Sequence, residues 1–472
     1  MKKIMKNSSK VSWVKILPLA GVVMSLTACG SMRHYQAEMQ GSLQATKQGN
    51  LDEAVANLEK NNTGSDKDLL YFLEKGQLLR LKGDLAESVN TWLKADEKVR
   101  QWEDESKLTV GKALEAAGSV VVNDKVRRYD GQDYEKVMLS TLLTMNHMLS
   151  GNVSGARTEI KKTYERESLI ASLHEKEYDK VEEEAKSHNV ETTFKNLRGY
   201  PVETLDDPEV LSLKNGYQSA FSHYLAGFVF ESLHEPSLAS AGYRKAIELR
   251  PNQPLLEQGL KGLQGRLARK VKDADVLLVV ESGFMPARSS KTIPLPFIWK
   301  NKPVITQIAF PVIQPSHDFR PSNIQIGNKS VELSPISNLD AMARRALRDE
   351  MPGIIVRSSI RAAAKGAMQQ EMGEKMGALG SLAGIIATAA TEQADERIWT
   401  TLPSSISIAR INLKPGVHQA TISTPQGPRT VQLSVSGQYA IIPLRLLDQS
   451  VIVPTPRTTE QLAAADAVKS AN

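Results

Sequence analysis

The apolar positions of this chain change period near Pro251. Before it they recur every three or four residues among acids and bases, as on helices with one buried face. After Asp275 they alternate with polar residues or gather in short β-branched runs bounded by Pro, Gly and Asn, as in strands. Val276-Leu277-Leu278-Val279-Val280 is a continuous run and reads as a buried strand. Residues 305–310, 323–326, 330–333, 405–409, 418–422, 430–433 and 439–442 read as further strands, with Lys414-Pro415-Gly416 a turn. Helical spacing returns at 339–350, where Arg344, Arg345 and Arg348 fall on the polar side, and again at 357–398. The pattern predicts an α+β multidomain chain, a helical array followed by a mostly antiparallel β-rich domain with inserted long helices.

The helical part repeats itself. Gly49-Asn50-Leu51-Asp52-Glu53-Ala54 and Gly83-Asp84-Leu85-Ala86-Glu87-Ser88 are the same turn, 34 residues apart. That is the tetratricopeptide period. Two antiparallel helices cross closely in such a unit, so small residues are needed at the crossing and bulky ones beside it. Gly76, Ser88, Trp92 and Ala95 meet that need in one copy, and Gly227, Ala239, Tyr243 and Ala246 in another at 220–252. A weaker copy follows Gly151 at Ala156 and Ile160, which leaves room for a degenerate unit at 104–137. The register then gives way to one charged helix from Ala156 to Lys186 and a loop carrying Gly199-Tyr200-Pro201. Such arrays form a concave groove suited to peptides or helices. The break at Arg127-Arg128-Tyr129-Asp130-Gly131 puts basic and aromatic groups in a loop, a candidate partner contact or a turn packed by Tyr129.

The N-terminus changes where this body belongs. Five lysines without an acid precede an uncharged run from Ile16 to Ala28. The run is shorter than the ~20 residues a spanning helix needs, so it reads as a signal peptide. Leu26-Thr27-Ala28-Cys29 resembles the bacterial lipobox, which implies cleavage before Cys29 and acylation of its thiol. Gly30 and Ser31 follow in place of the Asp that holds such proteins in the inner membrane, which implies the outer membrane, with the body on its periplasmic face. The expected organisation is a signal peptide at 1–28, a repeat domain at 29–252, a β-rich domain at 253–448 with helices inserted at about 339–398, and a flexible tail at 449–472.

Charge narrows the partners. The chain is net +6, but most of that excess lies in the signal peptide, so composition argues against nucleic acid. Residues 29–252 are net −7 and residues 253–472 net +8, as two parts that dock on each other or on different partners would be. The lone Cys29 excludes an intramolecular disulfide. None of the eight histidines pairs at the i, i+4 spacing of a zinc helix, and no P-loop or nucleophile-elbow motif is present. No catalytic residue, metal ligand or cofactor site is expected. Gly373/Gly377 and Gly380/Gly384 share a helix face, which suits close packing or self-association.

Asp395-x-Arg397-x-Trp399-x-x-Leu402-Pro403, followed by a strand and a Pro-Gly turn, resembles a passage in a set of proteobacterial outer-membrane lipoproteins with tetratricopeptide-like N-termini. Tyr129-x-Gly131-x-x-Tyr134-Glu135 also resembles theirs. The resemblance spans nearly the whole mature chain and implies a location and an architecture without an activity. Trp399 is expected in the core at a helix-to-strand junction, with Arg397 on a backbone or carboxylate group; a ligand role for the pair is the other reading. The expected function is a lipid-anchored, periplasm-facing scaffold or assembly factor that binds envelope proteins through its groove. Alternatives are a module for peptidoglycan or another envelope polymer, suggested by the basic C-terminal half, a regulator of cell-wall synthesis, or a cell-wall enzyme.

Overall fold

The structure is a computed structural model that describes residues 35–109, 128–269, 272–299, 302–363 and 394–456. Cys29, Arg127, Gly373, Gly377, Gly380 and Gly384 lie outside the described residues, as do most of the expected degenerate unit and residues 457–472. Helices come first: α1 (Tyr35–Lys47), α2 (Leu51–Lys60), α3 (Leu69–Lys82), α4 (Leu85–Thr109), α5 (Asp133–Leu149) and α6 (Val153–His188). After a loop with two short 3-10 turns follow α7 (Pro208–Ser212), α8 (Ala220–Ser232), α9 (Pro236–Leu249), α10 (Pro254–Lys261) and α11 (Leu263–Leu267).

The repeated turn has one backbone reason. Gly49, Gly83 and Gly151 each take positive φ (81°, 86° and 71°) between one helix and the next, a conformation that favours glycine. The turn before α9 makes the same excursion with His234, at φ 58°. The close crossings follow from the small residues. A Cβ on Gly76 would lie 2.2 Å from Trp92 Cδ1, and one on Gly227 would lie 2.6 Å from Tyr243 Cδ1. Ser88 Oγ donates to the Gly76 carbonyl at 2.7 Å, and Trp92 Nε1 to that of Leu73 at 3.1 Å. Ala95, Ala239 and Ala246 are fully buried beside them.

Eleven strands follow among the described residues: β1 (Ala274–Ser282), β2 (Arg288–Trp299), β3 (Lys302–Ile313), β4 (Asn323–Ile326), β5 (Lys329–Glu332), β6 (Ser334–Asn338), β7 (Ser405–Leu413), β8 (Gly416–Thr424), β9 (Gly427–Val435), β10 (Tyr439–Leu446) and β11 (Val451–Ile452). They form a five-stranded sheet β11-β10-β1-β7-β6, a four-stranded sheet β5-β4-β8-β9, and a two-stranded ribbon β2-β3. All pairings are antiparallel except β1 with β10. β1 explains its own apolar run. Leu277 and Val279 enter the core built by α3, α5 and α8, whereas Val276, Leu278 and Val280 enter a second core against the four-stranded sheet. The order is helices, mixed sheet, antiparallel sheet, with β1 buried on both faces.

Several sequence expectations need correction. Residues 339–363 form one helix, α12, which runs through Pro352 instead of ending near Glu350. An interior proline costs about 3 kcal/mol, and burial of Met351, Ile354 and Ile355 offsets it. Its Arg344 is not on a solvated side but fully buried, donating to Asp207 Oδ2 at 2.6 Å and the Thr204 carbonyl at 3.1 Å. Residues 394–399 are not helical. β2 went unread because Pro294 and Pro296 disguise it; a ribbon tolerates them at its outer edges. At 449–456 the expected tail begins as an edge strand, since β11 pairs with β10.

Candidate functional site

The helical array is occupied by the chain itself on the side where Glu74 and Glu135 lie. Residues 394–404 enter it between α3 and α5, and two buried glutamates take their main-chain N–H groups. Glu135 stands in the first turn of α5 because its Oε2 closes a capping box on Gln132 N at 2.9 Å. Its Oε1 accepts Trp399 N at 2.7 Å, and its Oε2 also accepts Tyr129 OH at 2.5 Å. Glu74, in the middle of α3, accepts Thr400 N at 2.7 Å and Tyr35 OH at 2.5 Å on Oε1. Its Oε2 accepts Thr401 N at 3.1 Å and the Thr401 hydroxyl. Both glutamates are 0% exposed. Their demand for donors keeps 399–401 out of a helix, where those N–H groups would face carbonyls.

The other side of the segment is closed as well. Trp399 lies edge-on to Trp92, ring centroids 5.9 Å apart, and its Nε1 donates to Thr401 Oγ1 at 3.1 Å. Arg445 Nη2 donates to the Thr401 carbonyl at 2.8 Å, and Met285 N to that of Leu402 at 2.9 Å. Burial pushes the Glu74 carboxyl up to about 7 against the pull of all its donors. Glu135 is raised for the same reason.

Charged pairs weld the two parts around this clasp. Arg80 and Glu281 form a bidentate pair, Nη2 to Oε1 at 2.6 Å and Nη1 to Oε2 at 2.9 Å, with both side chains fully buried. Arg445 shares Glu281 at 3.7 Å, and burial pushes its guanidinium down to about 10. Glu231 collects Arg410 at 2.7 Å, Arg266 at 2.7 Å and Tyr243 OH at 2.6 Å. Burial would lift Glu231, but these guanidiniums hold it below its usual range. Asp207 and Asp206 take Arg344 and Arg348. In three of these joints the acid comes from the helical part and the base from the C-terminal part. The opposite charges of the halves meet within the molecule, and Arg344, Arg348 and Arg410 of the basic C-terminal half are occupied here.

The sequence-selected residues fall into two groups. Tyr129, Arg397 and Trp399 are brought together: Arg397 stacks 5.2 Å from the Tyr129 ring and donates to Asp395 Oδ2 at 2.7 Å. Arg128 stays exposed and pairs with Glu105 and Asp130, each at 2.6 Å. Glu74, Glu135 and Glu281 were missed. The available signal was a line of polar residues at a spacing of three, Glu74, Gln77 and Arg80, on a helix otherwise rich in leucine; all three are fully buried.

A second concavity faces outward. It has a volume of about 640 Å³ and is lined by Tyr178, Val181, Glu182 and Ala185 of α6, then by Val190 and Pro352. Tyr178 is 68% exposed at its mouth. This last third of α6 carries Glu175, Glu177, Asp179, Glu182, Glu183 and Glu184 against Lys176, Lys180 and Lys186. Among the described residues no group of three or more His, Cys, Asp or Glu side chains is placed to hold a metal ion. Among them too, no helix is long and apolar enough to cross a membrane.

No protein-family profile matches the chain, and no curated protein matches it. Among solved structures it is similar to a tetratricopeptide repeat protein from Parabacteroides merdae ATCC 43184. That match has 13% identity, covers 53% of this chain and 95% of the other, and has a TM-score of 0.15. A score that low leaves the functional argument to the residues themselves.

Proposed function

We propose that this chain is a lipid-anchored scaffold of the bacterial envelope, held through Cys29 at the periplasmic face of the outer membrane, that docks a protein partner on its outward cleft. The observation that carries the reading is the filled inner groove. Residues 394–404 already fill the space between α3 and α5, so a partner is met elsewhere. The α6 cleft offers an apolar floor, an exposed tyrosine and an acidic rim. Those features fit a basic segment that presents apolar side chains, and charge of that kind chiefly sets the rate and selectivity of docking. Crosslinking in native membranes followed by purification should recover a fixed set of envelope proteins. Tyr178→Asp should remove members of that set while leaving the fold intact. An unchanged set would overturn the cleft, and an unmodified thiol at Cys29 by intact mass would overturn the anchor.

A further inference from the structure

The four-stranded sheet ends on an open edge. β9 pairs with β8 from Gly416↔Val435 to Thr424↔Gly427 and with no other described strand. The direction of its free backbone groups follows from the register. Gly327 N donates to the Gln419 carbonyl at 3.1 Å, on the β4 side of β8. A residue of an antiparallel strand turns its N–H and C=O to the same neighbour, so Gln419 faces away from β9. Gln432 stands opposite Gln419 and therefore faces away from β8. By alternation Pro428, Thr430 and Ser434 do the same. Pro428 agrees, since a sheet takes proline with the missing donor on its outer edge. Thr430, Gln432 and Ser434 are exposed.

Last strands that end in water are commonly short or guarded by charge. At the other end of this sheet β5 has four residues and carries Lys329 and Glu332. β9 has nine residues, and Arg429 is its only charge. Leu433 and Val435 are buried in the core beneath the sheet, and Val431 is half-buried at its rim.

This edge is complementary to itself. A two-fold axis at Gln432 sets Gln432 opposite Gln432, and Thr430 opposite Ser434 of the second copy. The outward N–H groups of 430, 432 and 434 then each meet a carbonyl, and Pro428 falls outside the paired stretch. An axis at Val431 would instead set Pro428 opposite Ser434 and leave that carbonyl without a donor. Val431 meets Leu433 of the second copy, which carries the dry face across the joint. Arg429 meets Val435, so the two arginines stand about 20 Å apart along the strands, beyond the Debye length. A closed two-fold contact uses one patch twice in this way. A foreign strand could bond the same backbone groups; the self-match of donors, apolar pairs and charge is what names a second copy.

We infer that β9 pairs antiparallel with β9 of a second copy, centred on Gln432, and joins the two four-stranded sheets into one continuous sheet. The full chain is expressed in two differently tagged copies, extracted in mild detergent and recovered through one tag. Native copies should recover each other. Gln432→Lys in both copies sets like charges directly opposite and should reduce recovery about fivefold. Gln432→Glu in both should act alike, and pairing Gln432→Lys with Gln432→Glu should restore recovery. The side chain is exposed, so the unfolding midpoint should not move in either variant. Oxidation should link Gln432→Cys copies to each other above the native background and leave Thr430→Cys copies unlinked. Failure of native copies to recover each other overturns the pairing. Full recovery with Gln432→Lys in both copies overturns it as well, as does a Lys–Glu pair no better than Lys–Lys.

Discussion

The inner groove lies between two helices of the array and the outer cleft between α6, the loop after it and α12, and one is closed while the other is open. Main-chain donors close the groove. Glu74 and Glu135 cannot remain buried without them, and residues 399–401 supply three N–H groups and a hydroxyl. At the cleft the charged groups stay in water, where an ion pair adds little to stability. Lys186 with Glu182 is such a pair, both side chains more than half exposed. Burial therefore separates a permanent internal joint from a surface that can exchange partners.

The sharpest way to break that contrast is to unbalance the buried side. Arg80→Met leaves Glu281 inside with only Arg445 at 3.7 Å, so unfolding in denaturant should show a loss of about 3–5 kcal/mol. A loss under about 1 kcal/mol would mean the joint is open to water.

Slightly smaller is a pH effect centred on Glu74. Its carboxyl is raised from 4.5 to about 7, so between those values the folded protein holds a proton that the unfolded chain has released. The stability tied to this group is greatest below pH 4.5 and is lost as pH rises through 7, about 3 kcal/mol in all. The difference in unfolding free energy between the native chain and Glu74→Gln, followed from pH 5 to 8, should carry that slope. A flat difference would place Glu74 in contact with solvent.

Next comes the helix crossing. Gly76→Ala drives a methyl group into Trp92 and should cost about 1–3 kcal/mol. The same change at Gly265, where a Cβ meets nothing within 4 Å, provides the comparison and should cost nothing measurable. The smallest stability effect belongs to the cleft. Tyr178→Asp should alter unfolding by less than about 0.5 kcal/mol while partner recovery falls. A large stability loss there would make the cleft part of the core.

Much of this architecture is written in local pattern. The leucine and alanine spacing around Gly76 and Trp92 specifies a close helix crossing because nothing else fits those volumes. The Val276–Val280 run specifies a strand with no wet face, and β1 is one. Prolines at 294, 296 and 352 misled in opposite directions, hiding a strand and suggesting a break, because their tolerance depends on which neighbours lie beyond the backbone. Residues 394–399 carry helical spacing but are open, their N–H groups taken by Ser290 at Ala394, by Asp395 at Arg397 and by Glu135 at Trp399.

Composition and period thus settled the order of coiled and extended regions and most of the faces that must be dry, since hydrophobic spacing and steric fit act over a few residues. What fills the groove was settled by folding, because Glu74 and Thr400 meet across 326 residues. An acid in a leucine-rich helix records that a donor is needed, but the donor's identity depends on how the layers stack. The array, the sheet and their charges became one body through contacts of that long-range kind.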